Sequence, residues 1–190
     1  MAKNRIPPSQ RPERQLTVGT WPKQADVQMQ VWPAPDDVLT DPAALIPRLQ
    51  GYVGALLQAE ELGPMAVFVC PLGEEVIRAM PLDLTIEHRG KDHADRCIRE
   101  LVRVTKPRAV AFLCEAFAND SGCTDDSRSL EGQQGTKDEA MITFETADGR
   151  CECWHADIVA ANGKRSLGTW QKMKGYSAKR FGSFYPQHAN

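Results

Sequence analysis

Two hydrophobic periods alternate along this chain. "ADVQMQVW" (residues 25–32) sets Val27, Met29 and Val31 on one side and its glutamines on the other, which predicts a half-buried strand added at a sheet edge and broken by "PAPDD". From Thr40 to Gly63 the period changes, and Leu45, Leu49, Tyr52, Val53, Leu56 and Leu57 form a helical stripe. Thr40 or Asp41 can accept the first free backbone N–H groups and Pro42 suits the first turn. Pro47 kinks or delays the helix, and Gly63 suits a left-handed C-terminal position. "MAVFVC" and "EVIRAM" then read as two strands joined across "PLGE", a hairpin by spacing and turn chemistry.

"KDHADRCIRELVRVTKP" is a second amphipathic helix, with Asp92 as its cap, Cys97, Ile98, Leu101 and Val102 as its buried face, and Pro107 as its stop. "RAVAFLCEAF" is the most apolar strand and so belongs at the centre of the sheet. A long polar loop, 117–138, separates it from "AMITFET", and its length marks it as functional or disordered. "ADGR" is a turn, and "CECWHADIVA" is the returning strand. Helices segregated from mostly antiparallel strands make an α+β domain, with a sheet of about five strands and two main helices. The expected organisation is an extended or disordered basic arm over 1–24, a single domain over 25–160 and a basic, aromatic tail over 161–190.

The element order over roughly residues 40–160 resembles the profilin-like and roadblock-like folds. The stretch from "AVFVC" through "IRELVRVTKPRAVAFLCEAF" to "ETADGR" is similar to a group of bacterial and phage proteins. Neither resemblance brings an activity with it.

Charge is segregated along the chain. Residues 1–24 carry five basic side chains and one acidic, a balance of +4; residues 161–190 carry six basic and none acidic, +6. The middle holds 12 basic and 24 acidic, −12. Two basic ends around an acidic body concern partners more than fold. No apolar run approaches the roughly 20 residues that span a bilayer, and the first 24 residues lack a signal-peptide hydrophobic stretch, so a cytoplasmic protein that does not enter membranes is expected. The six cysteines are expected to be reduced thiols.

Cys151, Cys153, His155 and Asp157 occupy alternate positions of one strand, and each can bind a metal or move a proton. Two zinc-bound sulfurs lie about 3.8 Å apart, whereas side chains two apart on a strand start nearly ~7 Å apart, so only a bent strand could bind through both. An ordinary sheet face of small and polar residues is the expected reading. His93 and Cys97, one helical turn apart, make a half-site at most. Glu115 and Glu145 fall on neighbouring strands and read as solvated. The loop from Asp120 to Glu131 begins and ends like a calcium loop but has Asp125 where the sharp turn needs glycine. "ANGKRS" departs from a phosphate loop, and there is no HExxH or GxSxG.

The tail interleaves its basic residues with aromatics. Trp170, Tyr176, Lys179, Arg180, Phe181, Phe184 and Tyr185 are the expected partner-binding residues, either across the protein's own sheet or on another subunit. The function expected is a non-enzymatic interaction or assembly protein, with a phage or mobile-element accessory as one form of it. It would engage a protein partner or another copy through its terminal segments, with no cofactor. Single-stranded nucleic-acid binding through the tail is the first alternative, since basic side chains hold phosphates while aromatic faces stack on bases. A zinc-dependent enzyme using Cys151, Cys153, His155 and Asp157 is the second.

Overall fold

The computed structural model describes residues 29–59, 62–71, 73–82, 90–119, 136–161, 163–174 and 183–185. In chain order these form β1 (Gln30–Pro33), α1 (Asp36–Thr40), a 3-10 turn (Pro42–Ala44), α2 (Leu45–Ala59), β2 (Met65–Val69) and β3 (Val76–Pro81). There follow α3 (Gly90–Thr105), β4 (Ala109–Asn119), β5 (Thr136–Thr146), β6 (Cys151–Ala161), β7 (Lys164–Leu167) and β8 (Gln171–Lys172). The strands make one antiparallel sheet in the order β1-β3-β2-β4-β5-β6-β7, with β8 also paired to β6.

The sheet corrects the expectation of about five strands: eight antiparallel strands, 44% of the described residues, curl into a half-barrel. Beyond the five, β1 is the edge strand at one end, and β7 and β8 come from the segment read as a tail. "KRSL" has a single aliphatic residue and looks like a solvated basic run, but Gly163, at φ 72, reverses the chain and lays it back along β6. The sheet therefore extends past residue 160 to Lys172.

Between β7 and β8 the strand bulges. Leu167 pairs with Ile158 and Gln171 with His155, so three residues (168–170) oppose two (156–157). Gly168 donates its N–H to the Asp157 carbonyl at 2.8 Å within this bulge. One extra residue changes which face the following side chains meet, and so Leu167 and Trp170 both pack against the core around α2.

That core fills the inner face of the half-barrel. Leu45, Ile46, Leu49, Val53 and Leu57 of α2 bury against Val67, Val69, Leu113, Ile142 and Phe144, and small residues (Ala79, Ala109, Ala111, Ala140) line the floor. Tyr52 and Leu56 of the expected stripe are only half-buried. Asp41 accepts the Ala43 N–H at 3.0 Å and caps the 3-10 turn. Pro47 falls in the first turn of α2, where its missing N–H costs nothing. Gly63 does not adopt the left-handed conformation expected of it.

On the outer face, Ile98 and Val102 of α3 pack on Ala66, Phe68, Val110 and Phe112, together with Phe184 from the C-terminal segment. α3 starts at Gly90, so Asp92 lies inside the helix rather than at its cap. It ends at Thr105, where Lys106 turns left-handed (φ 46) and donates its N–H to the Val102 carbonyl before Pro107. β1 is the edge strand the alternation predicts, but it is exposed throughout rather than half-buried. Most of the 117–138 loop, like the 1–24 arm, lies outside the described residues.

Candidate functional site

The outer face of the sheet carries a buried carboxylate. β5 pairs with β4 so that Glu145 stands opposite Val110, and pairs with β6 so that it also stands opposite Cys151. Its flanking turn, "ADGR", closes tightly. Thr146 donates its N–H to the Arg150 carbonyl at 2.9 Å, its hydroxyl donates to Asp148, and Gly149 takes φ 92. Glu145 is only 4% exposed, which contradicts the expectation of a solvated strand residue. A carboxyl group this deep needs hydrogen-bond partners, and the C-terminal segment supplies them.

Phe184 donates its backbone N–H to Glu145 Oε2 at 2.7 Å, and the Ser183 hydroxyl donates to Glu145 Oε1. Phe184 itself is 1% exposed, its ring among Ala66, Phe68, Ile98, Val102, Val110 and Phe112. Burying such a ring contributes roughly 2–3 kcal/mol. Arg99 of α3, held by Asp95 at 2.8 Å, donates to the Ser183 carbonyl. The Tyr185 hydroxyl donates to the Pro107 carbonyl at 2.9 Å. Burial pushes the Tyr185 phenol well above its ordinary range, so it remains a neutral donor.

Glu115 is not the partner of Glu145. It stands opposite Ala140 and so projects from the inner face, where it accepts two hydrogen bonds from Arg165, at 2.8 and 2.6 Å, and one from the Leu62 N–H at 2.8 Å. The carboxylate pair considered from the sequence is thus split between two faces.

Cys151, Cys153, His155 and Asp157 do share one face of β6, while Trp154 and Ile158 pack on the α2 core from the other. Cys153 is fully buried beneath that face, and burial, outweighing a hydrogen bond with Thr143, pushes its thiol up to about 11. His155 Nδ1 lies 3.2 Å from Glu139 Oε2, and Asp157 is exposed. Among the described residues no three His, Cys, Asp or Glu side chains converge as a metal site. None of the five described cysteines is in a disulfide. Cys97 is half-buried on α3, and the side chain of His93 lies outside the described residues.

The tail residues divide in the same way. Trp170 packs on the inner core, Phe184 and Tyr185 on the outer one, while Tyr176, Lys179, Arg180 and Phe181 lie outside the described residues. Two of the tail's cations meet carboxylates of the acidic body, Arg165 at Glu115 and Lys172 at Glu152, the latter at 3.0 Å. Lys172 also lies over the Trp154 ring, 5.8 Å from its centre.

Neither Ser183 nor the burial of Glu145 is legible from the sequence pattern. The only signal for Glu145 was an acid between Phe144 and Thr146 in an otherwise core-like strand. Its partner stands 38 positions further on, beyond the reach of periodicity. Compared with family models, curated proteins and solved structures, the chain matches none.

Proposed function

We propose that this chain is a non-enzymatic interaction or assembly protein that engages a protein partner or another copy of itself through the sheet edge at β1, the strand that follows its N-terminal segment. The observation that carries this reading is the edge strand β1. Of the six large hydrophobic residues exposed among the described ones, Met29, Val31 and Trp32 fall in one stretch of four, at 42%, 55% and 40% exposure. β1 pairs with β3 on one side, and among the described residues its other side is the open edge of the sheet. An exposed strand edge with apolar side chains is a template for pairing with another chain. Met29 also helps line a shallow cleft with Phe68, Cys70, Arg78, Leu101 and Thr105. No described helix is long and apolar enough to cross a membrane.

Size-exclusion chromatography with light scattering on the full chain tests the reading. The chain is expected to run above a single chain's mass, or to do so once its partner is added. Val31→Lys, which places a charge on the open edge, is expected to return it towards the single-chain mass. A chain that stays monomeric across concentration, and whose captured partners are unchanged by Val31→Lys, would sink the proposal.

A further inference from the structure

We infer that the outer-face groove between α3 and the sheet is a peptide-recognition site for a Ser-Phe-Tyr sequence, which the chain's own Ser183–Tyr185 occupies as a detachable strap. The β1 edge plays no part in this argument. Three observations point to recognition rather than to a fixed element of the fold.

The segment forms no strand ladder and is held from every side by groups that read a peptide's chemistry. Glu145 accepts from both the serine hydroxyl and the following N–H, so a peptide lacking the hydroxyl leaves one buried carboxylate oxygen short of a donor. The aromatic ring enters a pocket walled by two helical and four sheet side chains, the arrangement of a central anchor in a peptide or protein interface. The tyrosine hydroxyl and the serine carbonyl then fix direction through Pro107 and Arg99.

The groups that hold the strap come from elements other than the strap itself. Glu145, Arg99, Pro107 and the pocket residues belong to β5, α3 and their neighbours, which hold one another through the sheet and the α3 packing. A short segment outside the strand ladders, docked by one ring and a few hydrogen bonds, opens locally at lower cost than the sheet beneath it. A second peptide of the same chemistry therefore competes with the strap for one site.

The test uses the full chain carrying Ser183→Asp, which removes the hydroxyl donor, sets a second carboxyl group against Glu145 and is expected to expel the strap without altering a groove residue. The probe is a fluorescent peptide of residues 181–187, Phe-Gly-Ser-Phe-Tyr-Pro-Gln, followed by anisotropy. Ser183→Asp is expected to bind it at least ten-fold more tightly than the unaltered chain, whose own strap competes. Replacing the peptide's serine or central phenylalanine by alanine is expected to weaken binding at least ten-fold, as is adding Glu145→Gln to the protein.

A folded Ser183→Asp chain that binds the peptide no better than a scrambled one overturns the proposal. If Ser183→Asp does not fold, hydrogen exchange on the unaltered chain decides. Exchange of the Phe184 amide well ahead of the β4 and β5 amides supports a detachable strap. Exchange together with them makes the segment part of the fold and overturns the site. The β1 test reads mass with Val31 altered, whereas this one reads peptide affinity and amide exchange with β1 unaltered, so the two proposals fail separately.

Discussion

Arg165 on β7 and Glu115 on β4 are separated in the sheet by β5 and β6, yet their side chains meet in a two-pronged ion pair at 2.8 and 2.6 Å. Only a strongly curled sheet brings those strands within reach. The pair bridges the half-barrel above Leu62, whose N–H also donates to Glu115. α2 lies under this bridge, with Leu167 of β7 against it.

Removing either partner is expected to loosen the closure, unequally. Both side chains are about a quarter exposed, so solvent screens the pair and the cost is about 1–3 kcal/mol rather than that of a fully buried ion pair. Glu115→Ala is expected to cost more than Arg165→Ala, because it also leaves the Leu62 amide without its acceptor. Urea denaturation of both single variants and the double variant measures the coupling. Equal single costs would show that the Leu62 contact adds nothing.

This bridge marks where the sequence stops being legible. Period-two and period-3.6 patterns identify α2, β2, β3, α3, β4, β5 and β6 because each buries a face whose spacing is local. They do not identify β7, whose inward side chains are Arg165 and Leu167. Arginine reads as solvent-facing unless its distant carboxylate is known, and Glu115 is 50 positions away. The same limit hid Glu145, since alternation gives its face but not the Ser183 donor. For β6, alternation sorted Cys151, Cys153, His155 and Asp157 from Trp154 and Ile158 correctly, because that sorting needs only the pleat.

Glu152 gives stability that is lost in acid. Burial alone would raise its carboxyl, but hydrogen bonds from Lys172, Arg150 and Trp154 outweigh burial and hold it below the ordinary 4.5. A carboxylate depressed in the folded state is ionised there while the unfolded chain takes up a proton. Its contribution is therefore complete above about pH 4.5 and declines as pH falls towards the folded value. Glu152→Gln is expected to flatten this part of the stability profile, measured by urea unfolding between neutral and acid pH. Parallel profiles for the two proteins would rule the contribution out.

Cys153 acts at the opposite limb. Its folded thiol stays protonated up to about pH 11, while the unfolded thiol loses its proton near 9.0. Above pH 9 the unfolded state binds fewer protons, so stability falls by about 1.4 kcal/mol for each pH unit until the folded thiol itself ionises. Cys153→Ala removes this slope at the cost of a small cavity. The same burial predicts that iodoacetamide at mildly alkaline pH spares Cys153 in the native chain and labels it on unfolding, as peptide mass mapping would show. Rapid native labelling would mean that β6 opens far more readily than its pairing with β5 implies.

Two glycines of α2 separate helix propensity from packing. Gly51 is exposed, with nothing within 4 Å of where a Cβ would stand, so Gly51→Ala is expected to stabilise by roughly 0.5–1 kcal/mol through backbone entropy alone. At Gly54 the added Cβ would lie 3.7 Å from Leu167 Cδ1, an ordinary contact, so Gly54→Ala is expected to give a similar gain. A larger side chain there has to displace Leu167. With it would move the bulged strand that carries Arg165 to Glu115. Gly54→Leu is therefore expected to cost about 1–3 kcal/mol of overpacking and to speed amide exchange in β7, whereas Gly51→Leu does neither. Thermal denaturation and hydrogen exchange on the two leucine variants make the comparison. Equal behaviour would show that β7 does not rest on α2, and that the half-barrel is closed by the Arg165–Glu115 bridge alone.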